Sequence, residues 1–253
     1  MIGRVAVFVY GVLSYAIFFV TFLVMIAFVG NAVLPTTIDG EPRLPIVPAI
    51  AIDLGLILLF GLQHSVMARP WFKEQIICWI PKAAERSTYV LASSLALILL
   101  MVAWQPIGGT IWLVENPTAR LLLTVLFLSG WLIVLVTTFL INHFDLFGLR
   151  QGWLHLRGKE YKAIGFVTPG PYKYLRHPLY VGWLIAFWAT PTMTATHLVF
   201  ALGLTVYILI AIYFEERDLI AHFGERYRTY RKQVPMFMPR LGRKARSAGK
   251  LEA

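Results

Sequence analysis

Charge is scarce in this chain: Asp, Glu, Lys and Arg make up 14% of its 253 residues, against 58% that are hydrophobic. A soluble domain carries about a quarter charged residues, so the shortage excludes an ordinary water-soluble fold and makes lipid the solvent. Cysteine is down to Cys78 alone, which excludes an internal disulfide and any zinc site built on several thiolates. The six histidines show no His-Glu-x-x-His pattern and no paired spacing, so no metal site is expected.

What the chain has instead is long apolar runs, with a mean hydropathy of +0.68. Val5 to Val29 is too long for a signal-peptide core and long enough to cross a hydrocarbon layer about 30 Å thick. Further runs extend from about Ile46 to Met67, Ser87 to Trp104 and Arg120 to Asn142, each near the roughly 20 residues that a crossing needs. Two shorter runs follow, from Pro178 to Pro191 and from His197 to Phe214. The expectation is an all-α polytopic membrane protein of about six helices, the last two readable as a short hairpin, with a cytoplasmic C-terminal helical arm.

A net charge of +10 raises nucleic acid as a partner. The bases are spread over membrane-flanking loops without a basic domain or aromatic-interleaved patch, so no nucleic acid is expected and topology explains them better. With six crossings and both termini cytoplasmic, every Lys and Arg except Arg43 and Arg120 falls on the cytoplasmic side. The expected organisation is a four-helix membrane region over 1–143, a cytoplasm-facing region with the last two helices over 144–240, and a flexible basic tail over 241–253. Membrane lipid is the surrounding partner, and the sequence carries no sign of an oligomeric state.

The stretch from Gly165 to Gly182 stands out as a polar, proline-punctuated entry into an apolar helix. Pro169 and Pro171 bracket Gly170 as a turn, and Pro178 suits the first helical position, where no backbone N–H is needed. Such a helix start attracts anions, although Arg176 and His177 could equally snorkel to the interface and cap the helix. Glu215 and Glu216 follow an apolar run and are expected at a helix C-terminus, where the dipole disfavours carboxylates unless a cation or ligand offsets them.

Other polar groups cluster at the same side. Asn142, His143, Asp145, Arg150 and Gln151 crowd the exit of the fourth run, and Gln63, His64 and Ser65 lie near the end of the second. Both groups read either as interface anchors or as pocket lining, and His64 with His143 could instead ligate a b-type haem. Asp53 is ionisable inside a spanning run, with Arg120 or His197 as its expected partner. Ser87 is the expected N-cap of the third helix, beside a local Glu85–Arg86 pair.

The pattern Gly170-Pro-Tyr-x-Tyr-x-Arg-His-Pro-x-Tyr-x-Gly182, then Glu215-Glu216-Arg217, then Phe223-Gly-Glu-Arg-Tyr227 through Tyr230 to Val234-Pro235, carries a resemblance. It is similar to the isoprenylcysteine carboxyl methyltransferase and phospholipid N-methyltransferase superfamily of membrane enzymes. Gln63-His64-Ser65-x-Met67-Ala68-Arg69, Glu85 to Tyr89, and Asn142 to Gln151 narrow the resemblance. They look like the bacterial methanethiol S-methyltransferases, a branch related to NnrU-type proteins.

That resemblance implies an integral protein of a bacterial inner membrane, with S-adenosylmethionine bound from the cytoplasm. Carried over by motif position, Gly170, Tyr172, Arg176, His177, Tyr180 and Gly182 would hold the amino-acid part and sulfonium of this methyl donor. Glu215 and Glu216 would contact its ribose or amino group. The absence of a G-x-G-x-x-G turn after a strand agrees with this superfamily and argues against the soluble methyltransferase fold. The implied acceptor is a small thiol, methanethiol, converted to dimethyl sulfide. His64, His143 and His177 are candidates for taking its proton, and Arg150 or Arg176 for stabilising the thiolate. The competing readings are a methyltransferase for lipid or prenylated acceptors, a related nicotinamide-dependent membrane reductase, and a haem- or quinone-binding electron-transfer subunit.

Overall fold

The computed structural model describes residues 1–239; the basic tail expected over 241–253 falls outside them. In chain order the helices are α1 (Ile2–Val29), α2 (Ile46–Met67), α3 (Pro70–Ile76), α4 (Glu85–Ala103), α5 (Pro117–Ile141), α6 (His143–Leu146), α7 (Leu149–Leu156), α8 (Pro178–Trp188), α9 (Ala195–Phe223) and α10 (Glu225–Gln233). Five of them, α1, α2, α4, α5 and α9, are long and apolar enough to cross a membrane. Leu54 and Leu58 on α2, Leu121 and Leu132 on α5, and Leu202 and Val206 on α9 point outward and are exposed. This apolar exterior is what hydrocarbon covers, and the backbone polar groups behind it are satisfied within each helix. The protein is an all-α integral membrane protein.

The last two runs are unequal. α8 has 11 residues and a length of about 16 Å, too short to cross alone. α9 has 29 residues, the longest helix described, and continues nine residues past the expected end at Phe214. Glu215 and Glu216 therefore stand inside a helix and not at its C-terminus, so the dipole conflict expected for them does not arise. The turn between α8 and α9 carries strand β2 (Thr192–Thr194), which pairs antiparallel with β1 (Thr110–Leu113) from the α4–α5 connection. Thr196 Oγ1 accepts from the Ile107 N–H at 2.8 Å, fastening the start of α9 to the same connection.

α8 is held by its contact with α5. A Cβ on Gly182 would lie 2.8 Å from the Gly130 carbonyl oxygen, and one on Gly130 would lie 2.6 Å from the Ala186 nitrogen. Only glycine lets the two backbones meet so closely, the kind of van der Waals contact that joins helices in lipid. Gly182, matched by motif to the donor site, is thus a helix-packing residue. Inside the bundle, Phe22, Phe28, Trp104, Trp131, Phe187 and Phe200 form a continuous buried core.

Two local expectations are corrected. Asp53 is fully buried, and its Oδ1 accepts from the Gln105 N–H at 2.9 Å; its partner is neither Arg120 nor His197. Arg120 donates to the Val114 carbonyl, and His197 Nε2 donates to the Phe187 carbonyl. α4 begins two residues before Ser87, which lies inside the helix and caps nothing, while Arg86 Nε donates to the Leu146 carbonyl at 2.7 Å.

Candidate functional site

The short helices and loops gather at one end of the bundle around a cavity of about 790 Å³, a size suited to a small-molecule ligand. Its walls come from distant parts of the chain: Asn142, Asp145 and Gln151 after α5, the segment 159–168, Tyr172, Arg176 and His177 before α8, Glu215 on α9, and Tyr227 and Tyr230 on α10. Glu85, Arg86 and Lys73 close the far side. Burial, and next the Arg86 charge, push the Lys73 ammonium below its usual range.

The arginine-histidine segment is fixed by the chain that follows α10. The Arg176 N–H donates to the Pro235 carbonyl at 2.9 Å and the His177 N–H to the Met236 carbonyl at 3.2 Å. Arg176 Nη1 donates to the carbonyls of Arg231 (2.8 Å) and Val234 (3.0 Å), satisfying acceptors at the end of α10. The Tyr230 hydroxyl donates to the Tyr172 carbonyl at 2.6 Å, so α10 closes over the turn at Gly170–Lys173. Burial first, then nearby carboxylates of α9, raises the phenols of Tyr172 and Tyr227; they stay protonated and present neutral ring faces and O–H donors.

Adjacent positions on a helix point about 100° apart, and this separates the two carboxylates of α9. Glu216 is buried and ringed by nitrogen donors: Arg176 Nε at 2.8 Å and His177 Nε2 at 3.1 Å on Oε1, and Arg231 Nε at 3.0 Å on Oε2. Both of its oxygens are occupied by the protein. Glu215 lines the cavity, and its Oε2 accepts from the Tyr180 hydroxyl at 2.9 Å. Its Oε1 has no partner among the described residues, which leaves it for a ligand ammonium or hydroxyl. A second open acceptor is Gln151 Oε1 on α7, buried and without a partner among the described residues.

The exit of α5 is organised by Asp145. It accepts from Arg150 Nη1 at 2.8 Å and from the Tyr161 hydroxyl at 3.2 Å, and the Arg150 guanidinium lies 5.3 Å from the Tyr161 ring. Arg150 is therefore spent on holding the 159–168 segment and does not reach the cavity wall. His143 is also off the wall: its Nε2 meets the Tyr15 hydroxyl and its Nδ1 meets Thr138 Oγ1, both at 2.8 Å. His64 lies between α2 and α4, with Nε2 at 2.7 Å from the Tyr89 hydroxyl and Nδ1 at 3.1 Å from Ser93 Oγ. Neither imidazole keeps a free nitrogen for haem iron, and the two face different helices. Among the described residues, no three His, Cys, Asp or Glu side chains gather to hold a metal ion.

The sequence-based site thus divides. Tyr172, Arg176, His177 and Glu215 surround the cavity, Tyr180 reaches it through Glu215, and Glu216 braces it from behind. Gly170 has a positive φ of +50° that serves the turn; Gly182, His64, His143 and Arg150 lie off its walls. Tyr227 and Tyr230 are wall residues to which sequence reasoning assigned no role, although the aromatic spacing of the C-terminal motif carried the signal.

The phospholipid methyltransferase family model matches residues 124–226, which run from within α5 to the start of α10 and include the cavity walls from Ile141 to Phe223. A methanethiol S-methyltransferase of Crocosphaera subtropica is 52% identical over 244 residues, covering 96% of both chains. One of Mycobacterium tuberculosis is 50% identical, covering 91% of this chain and 95% of its own. Nurim of Sus scrofa is 34% identical over about two thirds of each chain, 67% and 68%. No solved structure matches the chain.

Proposed function

This chain belongs to the methanethiol S-methyltransferase family, and on that premise we propose that it methylates methanethiol to dimethyl sulfide, with S-adenosylmethionine as donor and S-adenosylhomocysteine as second product. The observation that carries this reading is Glu215, a carboxylate with one oxygen open to a cavity walled by protonated tyrosines and rimmed by Arg176 and His177. A zwitterionic sulfonium fits that donor set: Glu215 suits its ammonium, Arg176 its carboxylate, the rings of Tyr172 and Tyr227 its cation, and the open Gln151 Oε1 a purine amino group. When bound, S-adenosylmethionine supplies an electrophilic methyl on sulfur, open to in-line displacement.

The chain's own part is to hold the donor, exclude water and receive a proton. An alkyl thiol is mostly protonated at neutral pH, Cys itself titrating near about 8.5, so thiolate formation needs a proton acceptor. Of the candidates, His177 is committed to Glu216 and His143 to Tyr15 and Thr138 at the turn after α5, whereas His64 stands on α2 beside the Arg86–Tyr89 turn of α4, whose first residue lines the cavity. The basic loops all lie at the cavity end, which supports a cytoplasmic donor site in a bacterial inner membrane with both termini inside. In this reading residues 144–239 supply the donor site, while α2 and α4 supply the acceptor side.

Membranes carrying the protein, given the donor and methanethiol, should release dimethyl sulfide measurable by gas chromatography of the headspace. Transfer to phospholipid or a prenylated thiol, without dimethyl sulfide, would replace the acceptor assignment while keeping the reaction class.

A further inference from the structure

The hydrogen bonds around His64 fix where its proton sits. Ser93 Oγ lies 2.9 Å from the Tyr89 carbonyl, which can only accept, so the single hydroxyl proton of Ser93 is committed there. Ser93 Oγ must then accept from His64 Nδ1–H at 3.1 Å, and it also accepts from Gln63 Nε2 at 3.3 Å. With Nδ1 protonated, the neutral imidazole offers its lone pair at Nε2, and the Tyr89 hydroxyl donates to it at 2.7 Å. The Tyr89 oxygen accepts from no side chain among the described residues. It is thus a phenol whose proton is already directed at a base and whose lone pairs are unused.

Its position completes the argument. Arg86, one turn before Tyr89 on α4, lines the cavity, and its guanidinium lies 4.9 Å from the Tyr89 ring. Tyr207, whose hydroxyl lies 3.5 Å from Ser65 Oγ, stands on α9 two turns before Glu215, the cavity carboxylate held by the Tyr180 hydroxyl. Around His64 the rings of Tyr89, Phe60 and Tyr207 close in at 4.9, 5.3 and 6.5 Å. Gly61 admits the Tyr207 ring so closely that a Cβ there would lie 2.9 Å from it.

We infer that Tyr89 is the catalytic residue that deprotonates the thiol, with His64 as the positioning residue that receives the proton. This rests on the thiol-methyltransferase reading above. The S–H bond of the thiol breaks as its proton passes to the Tyr89 oxygen, while the Tyr89 proton passes to His64 Nε2 and leaves an imidazolium. The freed sulfur pair forms the new C–S bond as the sulfonium C–S bond releases its pair to the donor sulfur. A cation and a neutral thiol become two neutral thioethers and one proton on His64, which is later lost to solvent.

Tyr89→Phe keeps the ring and removes the relay. Turnover of methanethiol near neutral pH should fall about 100-fold or more, with donor Kd by calorimetry within about twofold of wild type. The lost rate should return as pH rises and the thiol ionises unaided, and hydrosulfide, smaller and already largely ionised at neutral pH, should be methylated at near wild-type rate. His64→Gln should show the same dependence on acceptor ionisation, and the ¹⁵N shifts of wild-type His64 should show a protonated Nδ1. An equal loss for both acceptors that is flat in pH, an unaltered Tyr89→Phe turnover, or a protonated Nε2 would each overturn the inference. If wild-type protein itself makes no dimethyl sulfide, the function reading fails with it; normal wild-type turnover beside an unaltered variant removes the inference alone.

Discussion

The protein holds two histidine clusters with the same wiring and different surroundings. In each, a hydroxyl on a helix gives its proton to a carbonyl one turn back and accepts from the Nδ1–H of a neutral imidazole, whose Nε2 accepts from a tyrosine on a helix other than the imidazole's own. Ser93, His64 and Tyr89 do this between α2 and α4; Thr138, His143 and Tyr15 do it between α5, α6 and α1. The His143 ring is stacked on Phe139 at 4.0 Å and edged by Phe147 at 4.8 Å and Phe144 at 5.5 Å. It fastens the sharp turn at Asn142, where φ is +152°, a conformation that costs a non-glycine residue about 1–3 kcal/mol and persists only when neighbours impose it. His64 instead bridges two regular helices and fastens no turn, and Arg86 of the cavity wall lies over the ring of its tyrosine partner. Hydrogen-bond wiring alone therefore does not mark a functional imidazole; the two clusters differ in what they fasten, a strained turn in one and a pair of regular helices in the other.

That comparison depends first on the cavity being the donor site. Glu215→Gln should weaken donor binding about 10- to 100-fold, the worth of a charge-assisted hydrogen bond of about 1.5–3 kcal/mol, while the melting temperature holds. Unchanged donor affinity would leave nothing to rank one cluster above the other. A smaller effect tests the other side: His143→Phe should cost about 1–3 kcal/mol by stranding Tyr15 and Thr138. It should lower the melting temperature in detergent but leave turnover per folded molecule within about twofold. A collapse of turnover that recovers at high pH would reverse the ranking of the two histidines.

The smallest effect is in the pH dependence of stability. Burial holds the His143 imidazole below its ordinary value, which is about 6.5. The unfolded chain then binds more protons than the fold between the depressed and the ordinary value, so stability rises with pH through that window and levels off above it. Melting followed from about pH 7.5 down to 5.5 should show wild-type stability falling, with a shallower fall in His143→Phe. Equal slopes would mean that His143 is solvated and that the two clusters differ less than their packing implies.

Much of the fold was legible because the membrane leaves few choices: apolar runs of sufficient length become helices, and the placement of Lys and Arg sorts their ends. Legibility failed where a helix end depends on partners. α9 runs past Phe214 because Glu216 finds Arg176, His177 and Arg231, contacts from segments about 40 residues before and 15 after it. Ser87 reads as a cap, yet α4 starts earlier, after the turn at Lys82–Ala84. At the site, the motif residues Tyr172, Arg176, His177 and Glu215 were legible as a set, but Gly182 in the same motif is a packing contact with Gly130 that no local pattern reveals.

By itself, the sequence determined the membrane class, the number of apolar helices, the sharing of one side by the basic loops, and the resemblance that named the chemistry. These follow from composition, run length and local spacing, which act within a few turns of chain. Only the tertiary structure decided which of two neighbouring carboxylates is a brace and which is open, and which of two identically wired histidines fastens a strained turn. Those distinctions lie in the direction a side chain takes from its helix and in what a distant helix sets against it, and neither is written in any single stretch of residues.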